Sequence, residues 1–168
     1  MVNLWEMILM GIFATYFMDI LAKYLVKFKI VRASIEPHIP GRWVLYMLKG
    51  KFIHKDIRQI PALKNEKLTT LISHYLIGIA LIGIYLFLEF LIPEIRAQLW
   101  MALLFGIATV LLPWLWLYPS IGIGFLASKS KNKSDYIIFS IINHTNFGIG
   151  MVIWIATFRK VAFISATY

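Results

Sequence analysis

Between Leu68 and Leu88 the chain carries no Asp, Glu, Lys or Arg, and between Ala97 and Ser128 it carries none again. A bilayer's hydrocarbon core is about 30 Å thick, and a helix needs roughly 20 apolar residues to cross it. A water-soluble fold has no place for such runs. The chain has 168 residues, 60% of them hydrophobic, which is more apolar side chain than a domain of this size can bury. In lipid every backbone polar group must be satisfied within its own segment or a closed barrel. The chain therefore reads as an all-α integral membrane protein, a single transmembrane domain over residues 1–168.

Hydropathy predicts four spans, at about 4–25, 68–92, 97–118 and 136–158, packed as a four-helix bundle. The five residues "PEIRA" between the second and third make those two antiparallel neighbours. Trp5, Trp100, Trp114, Trp116 and Trp154 fall toward segment ends, where amphipathic rings favour the headgroup level. The opening segment lacks a basic leader and a small-residue cleavage site and carries Glu6, so it is expected to be retained.

Charge sets the direction. The stretch Lys23–Lys67, which contains the basic loop 26–67, holds eleven Lys and Arg, and Lys129–Lys133 holds three. Arg96, Arg159 and Lys160 fall on the other side, so the division is fourteen to three. Positive loops stay in the cytoplasm, so both termini are expected outside. Topology thereby accounts for the net charge of +9, and no nucleic-acid partner is called for. The expected partner is the lipid bilayer, with added attraction to anionic lipid.

The first loop is too long for a mere connection. Within it, "PGRWVLYMLKG" opens on Pro40 and closes on Gly50, with an apolar run from Trp43 to Leu48. This predicts a short helix at the cytoplasmic interface, acting as an anchor or a lid. The charge-free stretch Ala97–Ser128 would be about 48 Å long as one helix. Pro113 and Pro119 offer backbone breaks, as do Gly122 and Gly124 in "SIGIGFLAS". That last piece either dips back into the bilayer or lies flat on it.

Three ionisable residues share a depth. From the basic side His74 is seven residues into its span, Asp19 eight and His144 nine, or about 10, 12 and 14 Å along the helix axes. Each lies on a stripe with i, i+4, i+8 spacing: Gly11, Thr15, Asp19; Thr70, His74, Gly78; Ser140, His144, Gly148. Residues so spaced line one helix side, and the small ones permit close helix approach. A charge facing lipid costs at least about 2.5 kcal/mol, so such groups face the bundle interior or a cavity. Asn143 and Asn146 add amides nearby. His38 and His54, in the basic loop, are expected to be solvated.

"HYLIGIA" at His74 and "HTNFGIG" at His144 read alike, as do "GIFAT" from Gly11 and "GIAT" from Gly106. These echoes suggest two parallel helical-hairpin repeats related by an axis along the membrane normal, with Pro113 standing where Asp19 does. "GIFATYFMD", "GRW" at Gly41–Trp43, Glu66, "HY" at His74, "PSIGIGFLAS" from Pro119 and "HTNFG" from His144 together resemble an uncharacterised family of small bacterial inner-membrane proteins, catalogued as a domain of unknown function. The likeness covers most of the chain; "YLVKFKIVRASIEPH" fits it least. It implies four spans and a bacterial inner membrane, adds Arg42 and His54 to the candidate residues, and supplies no mechanism.

Several functions remain open on these residues. A carboxylate beside imidazoles can relay protons, and the prolines and glycines would supply the broken backbone of transporters. Four helices enclose only a narrow path, so a homodimer is then expected. Alternatively Asp19, His74 and His144 would ligate a metal ion, or His74 and His144 would be axial ligands of haem b, with Gly78 and Gly148 leaving room for the ring. The chain has no cysteine, which excludes thiolate sites and covalent haem. An enzyme acting on a lipid or quinone, with either histidine as base, has no nucleophile or phosphate motif behind it. The remaining reading is a structural or assembly subunit whose polar groups fix helix register.

Overall fold

The computed structural model describes residues 3–32 and 35–159; Lys160, counted above among the flanking charges, lies outside them. Among the described residues the fold is all-helical, with four helices long and apolar enough to cross a membrane. These are α1 (Leu4–Lys27), α3 (Glu66–Leu91), α4 (Leu99–Ser120) and α5 (Lys133–Arg159). The short helix foreseen in the first loop is α2 (Ile39–Met47), with proline in its first turn. Gly50, at φ +77°, follows it in the left-handed region that favours glycine.

Proline decides the shape of α4. Pro113 has no N–H to give and crowds the preceding turn, and the helix answers by widening into a π turn over Pro113–Leu117. Regular helix returns at Tyr118–Ser120 and ends there, just past Pro119.

The chain divides into two compact units. Among the described residues the first comprises 3–24, 75–109 and 142–159, and the second 25–32, 35–74 and 110–141.

Within the first unit the contacts are those of helices at close range. A Cβ on Gly106 would lie 2.2 Å from the Cα of Gly148, and one on Gly11 would lie 2.6 Å from the Cα of Ile79. Gly78 faces Thr15, and Gly150 faces Ala14. Met7 against Gly83 and Gly11 against Ile79 make α1 and α3 antiparallel. Lipid tails are as apolar as leucine, so association here comes from such packing and not from a hydrophobic drive. The core between these contacts holds Met10, Ala14, Met18, Ile82, Tyr85, Ala102, Phe147 and Met151. Arg159 closes one end, donating to Glu6 through Nε and to both carboxylate oxygens of Glu89, at 2.8 and 2.9 Å. One cation thus ties three helices.

Within the second unit Ile39, Trp43, Ile57, Tyr118, Ile121, Ile123, Ala127 and Tyr136 form a second core. The glycine-rich segment after Pro119 is part of it. His54 and Ile57 donate backbone N–H bonds to the carbonyls of Ser120 and Ile121. Gly122 (φ +91°) turns so close to the first loop that a Cβ would lie 2.2 Å from the Lys55 carbonyl oxygen. Irregular backbone is tolerated in apolar surroundings when protein covers it, and here the first loop does so.

The α4–α5 crossing yields a direct test. Gly106→Val is expected to cost about 1–3 kcal/mol, as overpacking does, because the neighbouring atoms are backbone. Gly83→Ala, whose only close neighbour is the flexible end of Met7, is expected to cost much less. Thermal unfolding of the purified proteins in detergent compares the two.

Candidate functional site

The candidate residues separate by what they touch. In the second unit Arg42 is buried and makes a bidentate pair with buried Glu66, Nε to Oε1 at 2.7 Å and Nη2 to Oε2 at 3.1 Å. Its Nη1 donates to the carbonyls of Ile57 and Ile60, both at 3.2 Å. The hydrogen bond to Glu66 holds the Arg42 guanidinium above its usual range, so the pair keeps its cation at every physiological pH. Glu66 Oε1 also accepts the Leu63 N–H at 2.7 Å, which ties the end of the first loop to the first residue of α3. Neither charge is left over for a ligand.

The residues around that pair serve the same docking. The Gly41 N–H donates to Thr70 Oγ1 at 2.8 Å, and Thr70 donates to the Glu66 carbonyl. A Cβ on Gly41 would lie 1.9 Å from that carbonyl oxygen. Trp43 donates through Nε1 to Phe52 and meets Trp116 edge to face. "GRW" is thus a latch: its glycine allows the approach, its arginine pairs and its tryptophan fills. Thr70, expected to share a polar stripe with His74, belongs to this latch, and Ser140 is buried in a bond with the Tyr118 hydroxyl. His54 is not a solvated loop residue. It is half-buried, its ring lies against Tyr46 at 5.4 Å, and its Nε2 is enclosed. His38 remains partly exposed beside Glu36.

In the first unit the polar residues are arranged differently. His144 Nδ1 lies 2.7 Å from Thr109 Oγ1, and that hydroxyl donates to the Gly106 carbonyl. A hydroxyl has one proton. With it committed to Gly106, His144 must donate from Nδ1, and in the neutral ring Nε2 is the acceptor. Asp19, half-buried on α1, takes a hydrogen bond from the Tyr75 side chain on α3. Thr15 is wholly buried, Asn146 is 7% exposed, and Asn143 is partly buried. Thr15 Oγ1, Asn143 Oδ1 and Asn146 Nδ2 find no hydrogen-bond partner among the described residues. Ala14 faces Gly150, and in antiparallel helices Asp19 on α1 and Asn146 on α5, each a little over one turn past that contact, lie at about one level; Thr15 adjoins Ala14 and faces Gly78 on α3.

His74 belongs to the second unit, on the same helix as Tyr75. Thr109 and Tyr75 were not singled out as site residues from sequence. The signal for Thr109 was the "GIAT" echo, and that for Tyr75 was the "HY" pair.

A family model described as a protein of unknown function, DUF2938, matches residues 8–158. The chain belongs to this family. No curated protein and no solved structure matches it. The DUF2938 match spans the latch, the Asp19–Tyr75 and His144–Thr109 pairs and the glycine-rich segment. It supplies no chemistry.

Two cofactor readings lose ground on this DUF2938 chain. Gly78 and Gly148 do not leave room for a haem ring, because Thr15 fills the space beside one and Gly106 the space beside the other. No three His, Asp or Glu side chains among the described residues form a group able to hold a metal ion, which leaves the Asp19, His74 and His144 metal set without support.

Glu66→Ala, which strands a buried guanidinium, is expected to lower stability by about 3–5 kcal/mol. It also speeds tryptic cleavage at exposed Lys49 and Lys51. Arg42→Lys is expected to rescue little, since an ammonium cannot reproduce the forked pair. Melting curves and timed digests read both effects.

Proposed function

We propose that the first unit is a proton-handling site of a membrane transport protein, in which Asp19, Tyr75, Thr109 and His144 exchange protons with water or a small polar solute admitted beside Thr15, Asn143 and Asn146. The observation that carries this reading is a trio of enclosed polar atoms with no partner among the described residues, on the two helices that carry Asp19 and His144: Thr15 Oγ1 on α1, Asn143 Oδ1 and Asn146 Nδ2 on α5. Leaving a buried polar group unbonded costs about 1–3 kcal/mol. A core built only for helix register would replace such atoms with apolar ones. Water or a polar solute would offset the cost, and a buried water needs two to four polar partners of this kind.

The chemistry of the pairs agrees. Histidine changes charge near physiological pH, and its tautomer here is set by Thr109. Intramembrane Asp and His are the common currency of proton relays. The basic loops are taken as cytoplasmic by the positive-inside rule, with both termini outside and the chain in a bacterial inner membrane.

Proteoliposomes with a trapped pH dye test the proposal. An imposed pH gradient is expected to collapse faster than in protein-free vesicles. Asp19→Asn and His144→Gln should each slow it by about a hundredfold, the lower end of what a positioned proton-transfer group contributes. Wild-type protein no faster than empty vesicles, or variants equal to wild type, overturns the proposal and leaves the structural-subunit reading.

A further inference from the structure

The second unit contains a cavity of about 390 Å³ that the proton-handling proposal does not use. Its wall comes from three stretches: Lys55, Asp56 and Arg58 of the first loop, Gly122 and Ile123 of the glycine-rich segment, and Lys129–Asn132 with Asp135 and Tyr136 around the start of α5. Four cations line it, Lys55, Arg58, Lys129 and Lys131, against two carboxylates, Asp56 and Asp135. Both carboxylates are engaged elsewhere. Asp56 accepts from the Arg58 backbone N–H at 3.0 Å and from the Gln59 amide at 3.1 Å. Asp135 faces Arg32 at 3.9 Å.

The cations are not so used. Arg58 donates one bond, from Nη2 to the Tyr136 hydroxyl at 2.8 Å. This fixes the guanidinium plane and leaves its other donors to the cavity. The side chains of Lys55, Lys129 and Lys131 are exposed and make no ion pair among the described residues. The long helix α5 also begins at this wall, adding the positive end of its dipole.

We propose that this cavity binds a phosphate group. An excess of two positive charges, one oriented guanidinium, mobile ammonium groups and a helix start form a set that recognises phosphate oxygens. The volume accommodates a headgroup-sized anion, and the charged and polar lining suits one better than an acyl chain. The phosphate has two sources: the headgroup of an anionic lipid, or a soluble phosphate. Clustered cations beside membrane helices are a known basis for lipid headgroup recognition.

The experiment uses the full-length protein in a neutral detergent, with native mass spectrometry as readout. The probes are short-chain phosphatidylglycerol, phosphatidylcholine of equal chain length, and inorganic phosphate. Phosphatidylglycerol retained at one molecule per chain, and weakened roughly tenfold or more by Lys129→Ala with Lys131→Ala, supports the proposal with lipid as source; each nearby cation contributes about a fivefold effect. Inorganic phosphate bound with the same dependence, without preference for the glycerol lipid, supports it with a soluble source. Lys55→Ala, on a separate stretch, should weaken binding in the same direction. Lys49→Ala with Lys51→Ala, exposed outside the cavity, should change nothing. Equal loss in the two double variants means diffuse surface charge and overturns the proposal, as does failure of every probe to bind. Melting curves matching wild type show that the lysine variants remain folded, as their exposure predicts.

Discussion

Close approach between helices is the constraint on which the first unit rests. Hydrocarbon gives two helices no solvent reason to associate, so backbone contact must supply the attraction. Gly106 against Gly148, Gly11 against Ile79 and Gly150 against Ala14 do so. Each contact also fixes register. Thr109 reaches His144 because Gly106 and Gly148 meet one turn away, and Asp19 lies level with Asn146 because Ala14 and Gly150 meet. The glycines therefore place the polar groups as well as pack the helices. This explains why they cannot double as space for a ring: the room they leave is already taken by the neighbouring helix.

Much of this was legible in the sequence, for a simple reason. Apolar runs long enough to cross a bilayer have no alternative fold, so the four spans and the all-helical class followed from hydropathy alone. The α2 helix was legible from its Pro40 start and Gly50 stop. What periodicity could not provide was the partner each stripe faces. Thr70 and Ser140 lie on the same helical sides as His74 and His144, yet the first serves Gly41 and the second Tyr118. A stripe identifies a face, and which helix or loop covers that face depends on contacts far apart in sequence. His54 went astray for the same cause, since a loop position gave no sign that Tyr46 would shield it.

The echo between the two histidine motifs does not extend to their contacts. In the second hairpin Thr109 meets His144 directly, whereas in the first Thr15 meets Gly78, one turn beyond His74. By the sequence echo alone, Asp19 corresponds to Pro113. Proline cannot accept or donate a side-chain hydrogen bond, and its consequence is a widened π turn instead. One hairpin therefore carries an acid where the other carries a deformable backbone. Such a difference is hard to explain as symmetric scaffolding.

Two sets of polar groups, one in each unit, are treated in opposite ways. In the second unit Arg42 spends its donors on Glu66 and two carbonyls, a closed set that holds loop to helix. A buried ion pair that closes on itself adds specificity of docking but offers nothing to a substrate. In the first unit Thr15 Oγ1, Asn143 Oδ1 and Asn146 Nδ2 are enclosed with no hydrogen-bond partner among the described residues. Desolvation penalises both arrangements, but only the first is compensated by protein atoms. The second set is uncompensated by protein among the described residues, and on that difference the proton-handling proposal rests.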